Sequence, residues 1–298
     1  MDDVLLDVQH LTHCFRLGKN NLIKAVDDLS FGLRKGEIFG LVGESGSGKS
    51  TVARCVMNVY RPTAGKIVYK GIDTCDRRAF RENKNLLQAS RQIIFQDSTS
   101  SLNRRMTVAD IIAEPMGIHH IKPPRGSLRE EAAFQLYYVG LDSSYLDKYP
   151  TELSGGQRAR VAIARALSME PELLVADEPI ASLDVSIQAQ IINLFKHLQA
   201  EHGFSFLFIA HDLAVVRYLC DRVGVMYQGK LVEVAPTEEL FAAPAHPYTK
   251  ALLAAIPVPD PRRERARKLE IFDPEQFSGN GDVVEVSPGH LVMKERGI

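Results

Sequence analysis

A nine-residue stretch from Gly43 to Thr51 combines glycine, lysine and hydroxyl side chains in an order that suits phosphate binding. The glycines let the backbone curl so that successive N–H groups point inward, and the helix start that follows adds to the anion site. Lys49 would reach the β- and γ-phosphates of a nucleoside triphosphate, and Ser50 would offer its hydroxyl to Mg²⁺. The predicted binding residues are Gly43, Ser45, Gly46, Ser47, Gly48, Lys49, Ser50 and Thr51.

The elements on either side of this stretch fit the same chemistry. Residues 37–42 form an apolar run that predicts a buried strand, and residues 50–58 have the pattern of a helix. A strand, a glycine-rich loop and a helix in this order are the setting that a phosphate loop requires. The alternative is a glycine-rich turn that binds nothing.

A second candidate lies where the apolar run Leu173–Ala176 ends in Asp177 and Glu178. In a parallel sheet, ligands bind at the carboxyl ends of the strands, so these acids would lie beside the phosphate loop. Asp177 would hold Mg²⁺ directly or through water, and Glu178 would polarise an attacking water. The alternative is a strand end with two solvated acids.

A third candidate is the sequence Leu153-Ser154-Gly155-Gly156-Gln157, which precedes a helical pattern. Ser154 is a suitable N-cap, and the paired glycines leave the backbone N–H groups bare. Since one phosphate loop already binds one nucleotide, this second site would close over a nucleotide held by another subunit. The alternative is an ordinary Gly-Gly turn before a helix.

Composition and charge limit the class of protein. The chain has 298 residues, a net charge of −1 and an ordinary share of hydrophobic residues, 45%, which indicates a globular protein and does not favour nucleic-acid binding. Its four cysteines are Cys14, Cys55, Cys75 and Cys220. None forms a Cys-x-x-Cys pair, so we expect a reducing, cytoplasmic setting. The acidic N-terminus is unlike a signal peptide, and no apolar run is long enough for a membrane span. If this protein acts at a membrane, we therefore expect it to do so through a partner protein.

Strand and helix patterns alternate along most of the chain and predict an α/β fold with a mostly parallel sheet. Strands are predicted at 4–11, 25–33, 66–69, 92–95, 172–176 and 204–209, and a hairpin at 222–234. Residues 97–165 show only helical patterns, at 108–118 and 128–139, and predict an inserted helical subdomain. We place the main domain at 1–240. An extension at 241–298 is richer in proline and charge, with a helix over 246–256.

The motifs, taken in order, resemble those of the ATP-binding subunits of ABC transporters. Besides the three stretches above, they include Gln96, the sequence 182–184 and His211, and the resemblance spans residues 4–235. It implies a RecA-like P-loop NTPase with an N-terminal antiparallel part. Two such subunits would dimerise head to tail around two ATP molecules.

The resemblance also implies a role for each matching residue. Glu178 would be the general base, and His211, which by itself could be structural, would contact the γ-phosphate. Lys49 and Ser50 would hold phosphate and metal, with Asp177 supporting the metal. Gln96 would report the γ-phosphate and metal to the helical subdomain. Asp184 would lie at the dimer contact, and the partner's ATP would be faced by Ser154, Gly155, Gly156 and Gln157. Phe15 would stack under adenine; the alternative is that it is a core residue.

Residues 96–103, 178–190, 246–253 and 286–290 are similar to the oligopeptide and dipeptide importer branch. The stretch beginning His246-Pro247-Tyr248 is the strongest of these signals. Some relatives carry a cysteine cluster in the extension, but no cysteine follows Cys220 here, so we predict no iron–sulfur cluster. The arginines within 262–267 would form a solvated face or contact anionic lipid.

The resemblance therefore predicts a subunit on the cytoplasmic face of the plasma membrane that hydrolyses ATP to drive peptide import. Its partners would be two integral-membrane permeases, contacted near residues 96–103, and a second, related ATPase subunit. A homodimer stays open, and a solute-binding protein would act indirectly. The alternatives are import of nickel, sugar or opine, a soluble ABC ATPase, or an inactive ATP-binding regulator.

Overall fold

The computed structural model describes residues 3–18, 21–96, 101–256 and 272–295, which form two sheets with helices packed around them. The strands are β1 (Val4–Leu17), β2 (Asn21–Arg34), β3 (Ile38–Val42), β4 (Ala64–Tyr69), β5 (Ile72–Asp73), β6 (Arg91–Ile94), β7 (Leu173–Asp177), β8 (Ser205–Ile209), β9 (Arg222–Tyr227), β10 (Lys230–Pro236), β11 (Gly281–Ser287) and β12 (His290–Glu295).

The smaller sheet is antiparallel and has the order β2-β1-β4-β5, as predicted for the N-terminal part. Its first two strands are longer than the patterns 4–11 and 25–33 indicated. Register shifts interrupt the pairing of β1 after Val8, and His10 has a φ of 50°. Such bulges break the alternation of apolar residues, which is why the pattern stopped early. Phe15 consequently lies within β1 rather than after its end.

The larger sheet has the order β11-β12-β10-β9-β3-β8-β7-β6. Strands β6, β7, β8, β3 and β9 run parallel, so their carboxyl ends share one edge. Every residue of β3, β7 and β8 is buried. Burial on both faces explains their unbroken apolar sequences. The predicted hairpin at 222–234 is confirmed as the antiparallel pair β9–β10.

Apolar side chains pack on both faces of this sheet. Leu173 and Val175 of β7 point into a core shared with the smaller sheet, whereas Leu174 and Ala176 point into a core shared with the helices. The helices are α1 (Lys49–Val56), α2 (Arg77–Glu82), α3 (Lys84–Ser90), α4 (Val108–Ile118), α5 (Leu128–Tyr138), α6 (Gly155–Leu167), α7 (Val185–His202), α8 (Leu213–Leu219), α9 (Thr237–Ala242) and α10 (Pro247–Ala254).

The described part of the predicted helical subdomain, residues 101–165, contains α4, α5 and α6 and no strand. Capping boxes begin all three helices, with Thr107 paired to Asp110, Ser127 to Glu130 and Ser154 to Gln157. Helices α4 and α5 pack against α6, which thereby joins this region to the large sheet. Residues 97–100, where the predicted insertion starts, lie outside the described part.

The extension continues the large sheet. Its predicted helix is confirmed as α10, but β11 and β12 were not predicted. They form a hairpin whose strand β12 pairs with β10 and so extends the large sheet beyond β10. Every residue of β11 is half-exposed or exposed, and its apolar alternation is correspondingly weak. The arginines within 262–267 lie outside the described residues.

No helix among the described residues combines the length and the apolar character needed to cross a bilayer.

Candidate active site

The loop between β3 and α1 is shaped by glycines that no other residue could replace. Gly43 has a φ of 147° and Gly48 a φ of 105°. A Cβ at Gly43 would lie 2.1 Å from the carbonyl oxygen of Met226, and one at Gly48 would lie 2.2 Å from that of Ala25. The loop is therefore pressed against the backbones of β9 and β2, which leaves its exposed tip, residues 44–46, open to a ligand.

Lys49 lies beneath this loop, with only 3% of the residue exposed. Its Nζ donates hydrogen bonds of 2.8 Å to the carbonyl oxygens of Gly43 and Glu44, and lies 3.4 Å from Ser47 Oγ. Burial lowers the pKa of Lys49, and the nearby carboxylates, Glu178 first among them, oppose that shift. The ammonium group is thus held at the centre of the loop, where phosphate oxygens would be bound.

Two oxygen donors meet at the carboxyl edge of the sheet. The Ser50 hydroxyl, at the start of α1, donates a 2.7 Å hydrogen bond to Asp177 Oδ1, at the end of β7. No group of three or more His, Cys, Asp and Glu side chains that could cage a metal occurs in the described residues. Mg²⁺ needs no such cage, because it commonly takes one or two protein oxygens together with phosphates and water. The donors present therefore fit Mg²⁺.

Glu178 follows Asp177 in an unusual backbone conformation. Its φ is 48°, in the left-handed region that non-glycine residues seldom adopt, and its N–H donates to the carbonyl oxygen of Ile209 at 3.0 Å. Strain of this kind tends to concentrate at functional sites. The turn brings Glu178 Oε2 within 2.8 Å of Gln96 Nε2 and 3.8 Å of His211 Nδ1. Side chains that follow β6, β7 and β8 thus converge on one carboxylate.

The Ser154–Gln157 stretch forms the start of α6. The Ser154 hydroxyl accepts from the Gln157 N–H, and the Gln157 side chain accepts from the Ser154 N–H and donates to the Tyr145 hydroxyl. A Cβ on Gly156 would lie 2.7 Å from Ile187 Cγ2. Close packing of α6 on α7 therefore requires glycine there, a reason that the sequence did not reveal.

This helix start is separate from the other two groups of residues. In the part of the chain that is described, the side-chain hydrogen bonds of Ser154 and Gln157 stay within their own neighbourhood and do not reach the phosphate loop. Asp184 is exposed at the start of α7, next to Val185, which is 82% exposed. The chain therefore presents a capped helix end and an apolar side chain on its surface, away from the hydrogen bonds of the site.

Comparison with known sequences identifies the family. The profile of the family described as "ABC transporter" matches residues 26–181, and that of "Oligopeptide/dipeptide transporter, C-terminal region" matches residues 232–280. The oligopeptide transport ATP-binding protein OppF of Bacillus subtilis is 50% identical, with 98% of this chain and 97% of that protein aligned. Its namesake in Streptococcus mutans is 45% identical, with 97% and 94% aligned. The chain belongs to the ATP-binding subunits of ABC transporters.

Solved structures of other ABC ATPases share its fold. The dimeric ATP-binding cassette MJ0796, in a post-hydrolysis state bound to ADP and Pi, matches with a TM-score of 0.68 at 27% identity, over 78% of this chain and 98% of the other. Clostridium perfringens cbiO1, part of the transporter complex cbiONQ, matches with a TM-score of 0.69 at 29% identity, over 81% and 92%. The predicted fold class and the identification as a nucleotide-binding ATPase are confirmed.

Two aromatic residues of this ABC subunit, Phe15 and Tyr248, lie outside the groups described above. Phe15 is half-buried, and its ring contacts His13 edge-on with centroids 4.7 Å apart. Its role under adenine stays a prediction. Tyr248 was noted only as part of a branch signal. Its hydroxyl accepts a 3.1 Å hydrogen bond from the Glu44 N–H across 204 positions of sequence. No local pattern could have indicated that contact.

Proposed function

We propose that this ATPase powers the import of oligopeptides or dipeptides from the cytoplasmic face of the plasma membrane. The observation that carries the catalytic part is the convergence of Gln96 and His211 on the Glu178 carboxylate. The transport part is supported by the C-terminal match at 232–280 and by relatives named for oligopeptide transport. Residues 1–240 form the ATPase domain in this proposal, and residues 241–298 form an importer-type extension.

The nucleotide is bound mainly through its phosphates. Backbone N–H groups within residues 43–51, other than the Glu44 N–H that donates to Tyr248, surround the β- and γ-phosphates together with the Lys49 ammonium, and Phe15 stacks under adenine. Ser50, Asp177 and Gln96 would hold Mg²⁺, which supplies positive charge to the transferring phosphoryl group. The exposed tip of the loop and the buried Lys49 support this arrangement.

Glu178 then acts as the general base in hydrolysis. Its carboxylate takes a proton from water as the water oxygen attacks the γ-phosphorus, and the bond to the bridging oxygen of ADP breaks. Gln96 orients the carboxylate through its 2.8 Å hydrogen bond. His211 is 61% exposed on its side chain, so it is free to reach a γ-phosphate oxygen. The products are ADP and inorganic phosphate.

A second ATPase subunit completes each site. Ser154, Gly155, Gly156 and Gln157 face the γ-phosphate bound by the partner, and Asp184 contacts the partner beside the exposed Val185. The N–H groups at the start of α6 suit this role because they form a helix N-terminus. Hydrolysis removes the γ-phosphate that links the two subunits, so the dimer loosens and moves the permeases. The permeases contact the helical subdomain near residues 96–103, of which 97–100 lie outside the described part.

The test is to purify the subunit together with its co-expressed permeases and partner ATPase, and to change Glu178→Gln. We expect ATP hydrolysis to fall about 10²–10⁴-fold, the usual contribution of a general base, and peptide uptake into vesicles to cease. ATP binding should persist, because the phosphate-binding groups are unchanged.

The matched control is Glu172→Gln, at the opposite end of the same strand. Glu172 forms an exposed ion pair with Lys70 at 2.6 Å, so its loss should leave hydrolysis unaltered. Hydrolysis that survives Glu178→Gln would contradict the catalytic assignment. A chain that purifies without permeases, or a complex whose ATPase rate no peptide-loaded binding protein stimulates, would contradict the transport assignment.

A further inference from the structure

Tyr248 belongs to the extension but lies against the phosphate loop. It occupies the first turn of α10, where the His246 side chain caps the helix and accepts from the Tyr248 N–H at 3.1 Å. Tyr248 is only 2% exposed. Its ring packs on Tyr227 and Phe272, with centroids 4.3 and 5.4 Å away. The residue is therefore rigidly held, and its hydroxyl group has a defined direction.

That hydroxyl accepts a hydrogen bond from the Glu44 N–H at 3.1 Å. The same peptide unit carries the carbonyl oxygen of Gly43, which accepts from Lys49 Nζ at 2.8 Å. Because a peptide unit is planar, contacts at its N–H and at its C=O together fix its orientation. Tyr248 and Lys49 thus hold the first peptide of the phosphate loop from opposite ends.

A buried cluster of hydrogen bonds fixes the position of α10. Both carboxylate oxygens of Glu233, on β10, accept backbone hydrogen bonds from the residues that precede the helix, Ala245 at 2.8 Å and His246 at 2.9 Å. The terminal hairpin contributes His290, whose Nε2 lies 2.7 Å from Glu233 Oε1. The hairpin, β10, α10 and the phosphate loop are therefore linked by a continuous series of hydrogen bonds.

We propose that Tyr248 is a positioning residue that orients the phosphate loop for ATP and so makes ATP affinity depend on the C-terminal extension. This inference rests on the proposed role of the loop in binding ATP. A tyrosine needed only for packing would use its ring and not its hydroxyl. The two roles can be separated, since a phenylalanine at position 248 keeps the ring contacts and removes only the hydroxyl that accepts the hydrogen bond.

The primary experiment compares Tyr248→Phe with wild type in the assembled transporter. We expect the KM for ATP to rise about five-fold, as loss of one neutral hydrogen bond predicts. The kcat should stay within about twofold, because Tyr248 touches none of Glu178, Gln96 and His211 and its loss weakens ground-state and transition-state binding equally. The thermal midpoint should stay close to that of wild type, because the ring remains packed.

Tyr227→Phe is the matched control. Its ring lies in the same aromatic cluster, but its hydroxyl accepts from the Gln228 side chain at 3.2 Å and not from the phosphate loop. We expect it to leave the KM unchanged. An unchanged KM in Tyr248→Phe, or equal effects of the two substitutions, would overturn the proposal.

Amide hydrogen exchange provides a second readout that does not depend on activity. The Glu44 N–H of the full chain should exchange several-fold faster in Tyr248→Phe, while amides of α4 should be unaffected. Unchanged exchange at Glu44 would also overturn the proposal. Lys49→Met separates the two hypotheses. If it leaves ATP binding intact, the loop's proposed role fails, whereas if it abolishes binding and Tyr248→Phe has no effect, only the positioning role fails.

Discussion

Two glutamates in this molecule are surrounded in opposite ways. Glu178, at the carboxyl edge of the sheet, has a side-chain hydrogen bond from Gln96 at 2.8 Å and a histidine at 3.8 Å that is 61% exposed. Glu233, in the extension, is completely buried on its side chain, contacts His290 at 2.7 Å and accepts from two backbone N–H groups. The Glu178 carboxylate can still accept hydrogen bonds from water and substrate, whereas the Glu233 carboxylate is bonded to groups of the protein itself.

The difference separates catalysis from stability. A carboxylate with few fixed partners can be changed without leaving buried groups unsatisfied, so its loss should affect turnover and not folding. A buried carboxylate that satisfies several donors leaves all of them unpaired when it is removed. The predictions below use this contrast and proceed from the largest expected effect to the smallest.

The largest effect is expected from Glu233→Ala. It leaves the N–H groups of Ala245 and His246 without their acceptor and removes the partner of His290 Nε2, although His290 Nδ1 keeps Glu239 at 3.1 Å, so we expect the free energy of unfolding to fall by about 3–5 kcal/mol. Urea unfolding followed by circular dichroism measures this. Glu238→Ala is the control, since its side chain is 82% exposed and pairs with Arg217 only at 3.5 Å. Similar losses in both variants would refute the contrast.

The two regions also differ in how far the sequence could predict them. Lys49, Ser50, Asp177 and Glu178 lie in short local patterns, and the rule that parallel strands end at one edge was enough to bring them together. The contact of Gln96 with Glu178 spans 82 positions and was expected only through the family resemblance. Local patterns and topology together therefore predicted that Ser50 of the phosphate loop and Asp177 at the end of β7 would lie side by side.

The extension was much less predictable. The Glu233–His290 contact spans 57 positions and the Tyr248–Glu44 contact 204, and neither pair belongs to a common local motif. The hairpin β11–β12 was missed because the half-exposed β11 has little apolar alternation, while β12 gains its burial by pairing with β10. These strands and contacts depend on residues that lie far apart in the sequence, so no short stretch of sequence predicts them.

An intermediate effect is expected from Lys49→Met, which tests the catalytic side of the contrast. Charge-assisted hydrogen bonds to phosphate are worth about 1.5–3 kcal/mol, so ATP affinity should fall roughly 10–150-fold. Stability should change little, because methionine loses the hydrogen bonds to the Gly43 and Glu44 carbonyl oxygens but also removes a charge that is unfavourable to bury, as the lowered pKa of Lys49 indicates. Isothermal titration with ATP and urea unfolding measure the two quantities. A large loss of stability would show that Lys49 is primarily structural.

The smallest effect concerns pH and His246, which caps α10. Burial lowers the pKa of His246, while Glu233 and Glu295 act in the opposite direction. Its Nδ1 accepts from the Tyr248 N–H, a bond that only the unprotonated nitrogen can make. The folded protein therefore prefers neutral histidine more strongly than the unfolded chain does.

The sign of the pH dependence follows from this preference. As pH falls below about 6.5, the unfolded chain binds a proton at His246 that the folded protein excludes, so stability should decrease, by at most about 1.4 kcal/mol per pH unit. His246→Asn keeps a side-chain acceptor for the helix cap but cannot titrate. Urea unfolding between about pH 7.5 and 5, above the range where carboxylates ionise, should give a shallower pH slope for the asparagine variant. Equal slopes in the two proteins would mean that His246 has no part in this pH dependence, and that the capping nitrogen is not kept neutral by the fold.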